Sequence, residues 1–259
     1  TGSVTTTTTD DSQVTIVSTK TGTVTTTGPN TPGLQLGSDI DGEAQSDYSG
    51  YSISISGDGT TVAIGAYYND GAAGDNDGHA RVYQYREYTQ SDDDNGTYHY
   101  TSTEQGTTNN KPLIVTENTS TAPVVGNSYW TQIGFDIDGE AEGDYSGRSV
   151  SLSDDGTIVA IGAHGHDSDR GTTRVYQYSN SSWTQLGSDI DGEYDNDDSG
   201  YSVSLSGDGT IVAIGAWKNS GSGSYNAPSG HTCVYQYSNS AWTQLGADID
   251  GEAASDYSG

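Results

Sequence analysis

One stretch of this chain returns three times in full and a fourth time in part. One copy reads W-T-Q-L-G-S-D-I-D-G-E from Trp183 to Glu193. It continues D-D-S-G-Y-S-V-S-L-S-G-D-G-T-I-V-A-I-G-A from Asp197 to Ala216 and closes, after a variable loop, with H-T-C-V-Y-Q-Y from His231 to Tyr237. The glycine of the S-G pair falls at Gly50, Gly147, Gly200 and Gly259. The period is roughly 55 residues, and the first interval carries about 40 extra ones, at about 86–128. A period in this range marks a repeat architecture.

Each unit parses into four short strands. Residues 183–186 alternate, and residues 202–206 put Val203 and Leu205 on one face and Ser202, Ser204 and Ser206 on the other. Gly207-Asp208-Gly209 is expected to be a hairpin turn, since Gly and Asp tolerate positive φ. Residues 210–216 form a nearly continuous apolar run, the pattern of a strand buried on both faces. Residues 233–237 alternate again, with Tyr235 and Tyr237 on one side. Four antiparallel strands in about 55 residues make one blade of a β-propeller, so the fold class is all-β. Trp130, Trp183 and Trp242 recur at one repeat position, which points to packing.

The copies Y-S-G-Y-S-I-S-I-S-G-D-G-T-T-V-A-I-G-A at 48–66, and their counterparts at 145–163 and 198–216, resemble the FG-GAP, integrin-α-type propeller repeats, and more loosely the Trp-Asp-repeat propellers. The resemblance covers about 34–259 apart from the insert. It implies repeats at about 34–85, 130–179 and 183–238 and a partial one at 242–259, behind a Thr-rich arm at 1–33. FG-GAP hairpins usually carry a calcium loop. The matching positions here are Ser204, Ser206, Asp208 and Val212, with Ser54, Ser56, Asp58, Val62 and Ser151, Ser153, Asp155, Val159 in the other copies. Calcium needs several oxygen ligands, so the family's site is not carried onto these hairpins. Propellers close with about four to eight blades. Three blades and a fraction leave three readings open: a fragment of a longer propeller, a divergent blade in the insert, or strands from a neighbouring subunit.

Composition decides between order and disorder, and between partners. Leu, Ile, Val and Phe make up about 14% of the chain, which with high charge usually means disorder. Tyr 19 and Trp 4 supply apolar area outside that count, and the apolar residues are periodic. With 8 Lys+Arg against 36 Asp+Glu, the formal charge is −28, which argues against nucleic-acid phosphates and anionic lipid surfaces. No apolar run approaches the roughly 20 residues of a membrane-spanning helix, so no membrane insertion is expected. There is no Met, so the chain is expected to be mature or trimmed. The single cysteine, Cys233, allows no intrachain disulfide and by itself favours a reducing compartment. Asn-x-Ser/Thr glycan acceptors at Asn95, Asn118 and Asn180, the Thr-rich arm and the acidity outweigh it and favour an extracellular or cell-surface setting.

The D-I-D-G-E element is the main candidate site. It recurs as Asp39, Asp41, Glu43; Asp136, Asp138, Glu140; Asp189, Asp191, Glu193; and Asp248, Asp250, Glu252. A further carboxylate follows at Asp47, Asp144, Asp197 and Asp256. Carboxylates at i, i+2 and i+4 of an extended segment share one side and can converge on Ca2+. The alternative is a repeated acidic turn that bonds its own backbone. His164, His166, Asp167 and Asp169 occupy one variable loop and offer a second, weaker metal pattern. His79 and His231 share a repeat position, where a structural hydrogen bond is expected, and Cys233 is expected to be a buried small hydrophobe.

No nucleophile elbow, phosphate-cradling loop or Cys-x-x-Cys pair is present, so no enzyme activity and no required cofactor are expected. The leading expectation is an extracellular structural protein that polymerises with itself into a filament or surface layer, donating strands from residues 1–30 to the next subunit. The alternative is an integrin-α-like adhesion propeller that binds surface glycans or proteins through loops near 67–79, 164–172 and 217–230.

Overall fold

Each time the recurring motif is complete, it folds into one antiparallel sheet. The computed structural model describes residues 3–9, 13–19, 35–86, 107–108, 111–112, 129–220 and 228–259. It divides into two compact units, Thr1–Leu36 with Glu87–Ser128 and Gly37–Arg86 with Tyr129–Gly259. In the first unit, β1 (Ser3–Thr9) and β2 (Gln13–Thr19) form a two-stranded sheet of their own, registered from Ser3↔Thr19 to Thr9↔Gln13. Within the Thr-rich arm, the two described strands therefore pair with each other.

The second unit holds the blades. The first sheet begins with β3 (Ser52–Ile55), β4 (Thr61–Ala66) and β5 (His79–Arg86). Two short strands of the other unit, β6 (Thr107–Thr108) and β7 (Lys111–Pro112), come next in the chain and pair with each other. The first sheet is then completed by β8 (Tyr129–Gln132) and β9 (Ile137–Asp138), which pair with opposite ends of β5. The second sheet is β10 (Ser146–Leu152), β11 (Ile158–Ala163), β12 (Thr172–Ser179), β13 (Ser182–Gln185) and β14 (Ile190–Asp191). The third is β15 (Ser199–Leu205), β16 (Ile211–Ala216), β17 (His231–Ser238), β18 (Ala241–Gln244) and β19 (Ile249–Asp250). In each, the outermost strand is broken in two around an I-G-F-D, L-G-S-D or L-G-A-D turn.

The sheets are phased across the sequence repeat. W-T-Q and I-D open a unit in the sequence but close the sheet of the unit before it. Every sheet is thereby clasped by the start of the next repeat. The partial copy at 242–259 completes the third sheet, and Ser258 bridges Gly230 as Ser199 bridges Gly171 and Ser146 bridges Gly78.

Two turns set the register. Gly209 N donates to the Ser206 carbonyl, and only Gly209 of that turn has positive φ, at 72°. Asp208 reaches across the turn to its neighbours' donors, so its role is side-chain bonding rather than an unusual backbone. The next hairpin is Asn180-Ser181, with φ of 50° and 64°, the mirror-type two-residue turn that suits twisted strands.

Among the described residues, both apolar clusters join neighbouring sheets. One cluster joins Ala63, Ala80 and Val82 of the first sheet to Val150, Leu152, Val159 and Ile161 of the second. The other joins Ala160 and Val175 of the second to Val212 and Ile214 of the third. Hydroxyls on the opposite face complete the joint. Leu152 N donates to Ser54 Oγ at 2.9 Å, and Leu205 N to Ser151 Oγ at 2.9 Å. Ser52 Oγ donates to the Gly147 carbonyl at 2.7 Å, and Ser149 Oγ to that of Gly200 at 2.8 Å. Gly65 and Gly162 lie directly under those carbonyls. A side chain there would push the sheets apart, which is why A-I-G-A and S-G recur together.

Candidate functional site

The repeated acids are dispersed rather than gathered. The first Asp of each element is held by the glutamine of W-T-Q: Asp136 Oδ1 accepts from Gln132 Nε2, Asp189 Oδ1 from Gln185 and Asp248 Oδ1 from Gln244, each at 2.6 Å. The middle acids, Asp138 and Asp191, pair through their backbone with His79 and Thr172. Asp41 offers its backbone carbonyl to Arg81 Nη2 at 3.0 Å. Glu43 pairs with Arg81 at 3.4 Å, and Glu140 with Arg174 at 3.1 Å. In the first three copies, the last carboxylate is buried and closes a turn. Asp47 Oδ2 accepts from Ala44 N, Asp144 Oδ2 from Glu140 N and Ala141 N, and Asp197 Oδ2 from Tyr194 N. Among the described residues, no three acids of one element bring their oxygens together. Asp39 is also partnered.

The hairpin carboxylates are likewise occupied. Asp208 Oδ1 accepts from Ser206 Oγ at 2.6 Å and from Thr210 N and Oγ1 at 3.0 and 2.9 Å. Those bonds, Ser206's first, hold its acid below the usual range. Asp58 and Asp155 make the same contacts. Serine and threonine donors thus stand around each carboxylate where a calcium loop would present further oxygens.

What the structure does gather are mixed clusters beside the D-I-D-G-E turns. Glu43, His79 and Asp136 form the first, Glu140, His166 and Asp189 the second, and His231, Cys233 and Asp248 the third, each with its ligand atoms within 4.8 Å of one another. His79 is 1% exposed, and burial pulls its basicity down despite Asp136 beside it. Cys233 is buried but not a passive hydrophobe: its Sγ donates to Asp248 Oδ1 at 3.1 Å and lies 3.7 Å from His231 Nε2. The sequence signal was available, since Cys233 stands at the repeat position of Arg81 and Arg174.

A second feature runs along the sheet edge where the variable loops begin. Tyr67, Tyr145, His164, Tyr201, Trp217 and Tyr257 follow one another at centroid separations between 5.1 and 6.3 Å. Arg148 sits over Tyr201 at 3.8 Å and over Tyr51 at 4.6 Å. Tyr48, Tyr51 and Tyr257 remain about half exposed. His164 is a member of this row and stacks on Tyr145 at 5.2 Å. It is not one of the grouped ligands. His166 opens a single turn, α1 (His166–Asp169), in which Asp167 and Ser168 take left-handed backbone angles, and its Nδ1 faces Asp144 Oδ1 at 3.1 Å. Asp167 pairs with Arg170 at 3.0 Å. Asn180 is exposed at its hairpin tip, whereas Asn95 and Asn118 lie outside the described residues.

The tryptophans stitch the sheets at their outer edge. Trp183 Nε1 donates to the Ile133 carbonyl at 2.8 Å and Trp242 Nε1 to that of Leu186 at 2.7 Å, each reaching the sheet before its own.

Four-stranded antiparallel sheets stacked face to face by one repeated joint define a propeller-type repeat protein. Residues 39–83 match the FG-GAP repeat, and the copies that follow carry a motif similar to the matched one. Two solved structures are similar over 77% of the chain. One is TolB from Acinetobacter baumannii, at 14% identity and a TM-score of 0.32, of which this chain spans 31%. The other is a putative 6-phosphogluconolactonase from Bacteroides uniformis, at 10% identity and a TM-score of 0.34, of which it spans 71%. Among curated proteins, none matches the chain. No helix among the described residues is long and apolar enough to cross a membrane.

Proposed function

We propose that this protein is a non-enzymatic, extracellular structural module that assembles with copies of itself, sheet face against sheet face. One observation carries the reading. Ile53 and Ile55 are 69% and 61% exposed, while their repeat equivalents Val150 and Leu152 are each 7% exposed because they pack on the preceding sheet. The third sheet offers the complementary face. Val234 is half-buried where Val82 and Val175 are 1% exposed, and Ser202 and Ser204 are exposed where Ser149 and Ser151 bond the next sheet. The joint that links the sheets within the chain is therefore available between chains, first sheet onto third. It is head-to-tail, so repetition gives a closed ring or an open filament.

The test is light scattering and electron microscopy of the 259-residue chain, wild type against Ile53→Asp with Ile55→Asp. Rings or filaments in the wild type, reduced to monomers with unchanged circular dichroism in the variant, are expected. A wild type that stays monomeric at high micromolar concentration overturns the proposal. Removing residues 1–33 separates the face-to-face route from strand donation: assembly persists under the first and is lost under the second.

The aromatic row favours a second reading, adhesion to a surface glycan or protein. Half-exposed tyrosines on the loop edge suit stacking on sugar rings or on apolar side chains. Under that reading, Tyr48→Ala with Tyr51→Ala weakens adhesion to cells or glycan arrays without changing self-association.

A further inference from the structure

We propose that His231, Cys233 and Asp248, with Glu193 beside them, bind one soft divalent cation of the zinc class. The argument begins from the repeat. At the corresponding joints, a guanidinium answers the glutamate: Arg81 with Glu43 at 3.4 Å, and Arg174 with Glu140 at 3.1 Å. In the third sheet, the residue at that position is Cys233, and Glu193 is the glutamate that faces it. No Lys or Arg among the described residues pairs with Glu193 or Asp248. The joint keeps both acids, loses its resident cation and gains a thiol.

The geometry suits a metal. Cys233 Sγ is 3.1 Å from Asp248 Oδ1 and 3.7 Å from His231 Nε2, and all three atoms lie within 4.8 Å of one another. A tetrahedral zinc with sulfur at about 2.3 Å and nitrogen or oxygen at about 2.0–2.1 Å holds its ligands about 3.5 Å apart. His231 and Cys233 are 4% and 5% exposed, so the two are presented by a strand rather than by a mobile loop. They are two residues apart on β17 and on the same face, while Asp248 comes from the turn before β19, where Gln244 Nε2 fixes its Oδ1 at 2.6 Å. Imidazole, thiolate and carboxylate together select zinc-class ions over calcium or magnesium. The other two clusters are unsuited, because Arg81 and Arg174 already neutralise their glutamates and bring positive charge to the spot where an ion would sit.

Without a cation, the Cys233 sulfur carries its hydrogen and donates it to Asp248 Oδ1. Binding therefore breaks the S–H bond, forms a sulfur–metal bond and sends one proton to the buffer. No electron is transferred.

The test uses the full chain, reduced and stripped with a chelator, titrated with Co2+ and then with Zn2+. Cys233 is the chain's one cysteine, so a thiolate-to-cobalt charge-transfer band can come from no other residue. Weak binding to the many surface carboxylates gives no such band. A band saturating at one Co2+ per chain, removed by one equivalent of Zn2+ with release of about one proton, is expected. His231→Ala and Asp248→Asn should each weaken Zn2+ binding by at least about 100-fold. Cys233→Arg restores the residue used in the other sheets, so it should remain folded while losing the site. A wild type with native circular dichroism and no thiolate band overturns the proposal. Binding unchanged in both His231→Ala and Asp248→Asn overturns it equally.

Discussion

His164 shows how much a single position depends on its neighbours. In the sequence, it is half of a His-x-His pair among acids. In the fold, its ring stacks on Tyr145 and meets Tyr201 edge-on, and burial, followed by the nearby Arg148 charge, brings its pKa down to about 4 from 6.5. Between those values, the unfolded chain binds a proton that the native state refuses. Stability conferred by the neutral ring is complete above pH 6.5 and lost as pH falls toward 4. The full effect is at most about 3 kcal/mol, and partial solvation of the ring lowers it. His164→Phe keeps the stack and removes the proton. Urea denaturation at pH 7 and pH 4.5 should show a smaller loss of stability in the variant than in the wild type. Equal losses would mean that other groups, such as buried His79, carry the acid sensitivity. Cys233 makes the same point from the other side: identical burial could have made it inert, but Asp248 and His231 converge on its sulfur.

At the scale of the element, the unit of construction is the joint between sheets. A lone sheet has almost no core, because its apolar residues face two different neighbours. The closest approach is between the A-I-G-A glycine of one sheet and the S-G carbonyl of the next. Gly162 has backbone, not a flexible side chain, where a Cβ would go: the Gly200 carbonyl. Gly162→Ala must displace the third sheet and break the Ser149–Gly200 bond, at a cost of about 2–4 kcal/mol. Thermal melting should fall by many degrees. Gly59→Ala is the control for space: nothing lies within 4 Å of its added Cβ, so the cost there comes from φ of +75° alone. It should be about 1 kcal/mol. Equal shifts for the two would show that the third sheet yields readily and that the close approach at position 162 costs little.

At the scale of the whole molecule, one heterologous interface is used twice inside the chain, and the proposed assembly would use it again between chains. The Ile53 and Ile55 face meets nothing among the described residues that covers it, and the Ser202, Ser204 and Val234 face is its counterpart. Assembly through this face is expected to depend on concentration, since small interfaces bind weakly on their own. The charge of −28 opposes association at low ionic strength, so added salt should promote it by screening. The zinc-class site lies on the third sheet, and Cys233→Arg should leave assembly intact.

The sequence by itself determined the sheets. Alternating Ser with Val, Leu or Ile defines a two-faced inner strand, an apolar A-I-G-A run defines a doubly buried one, and G-D-G and Asn-Ser define where each hairpin turns. These are local patterns, so one copy of the motif is enough to read them and its recurrence verifies them. The sequence did not reveal the phase of the repeat against the sheets, because W-T-Q and I-D pair with a strand that precedes them and nothing local marks that. Nor did it reveal the fate of the acids. Spacing of i, i+2 and i+4 places carboxylates on one side of an ideal strand, but the chain breaks between Gln185 and Ile190, and each acid turns to a different donor. Only the tertiary structure brought His231, Cys233 and Asp248 together, since Asp248 lies in the turn before β19 and reaches β17 only once the outer strands of the third sheet have paired.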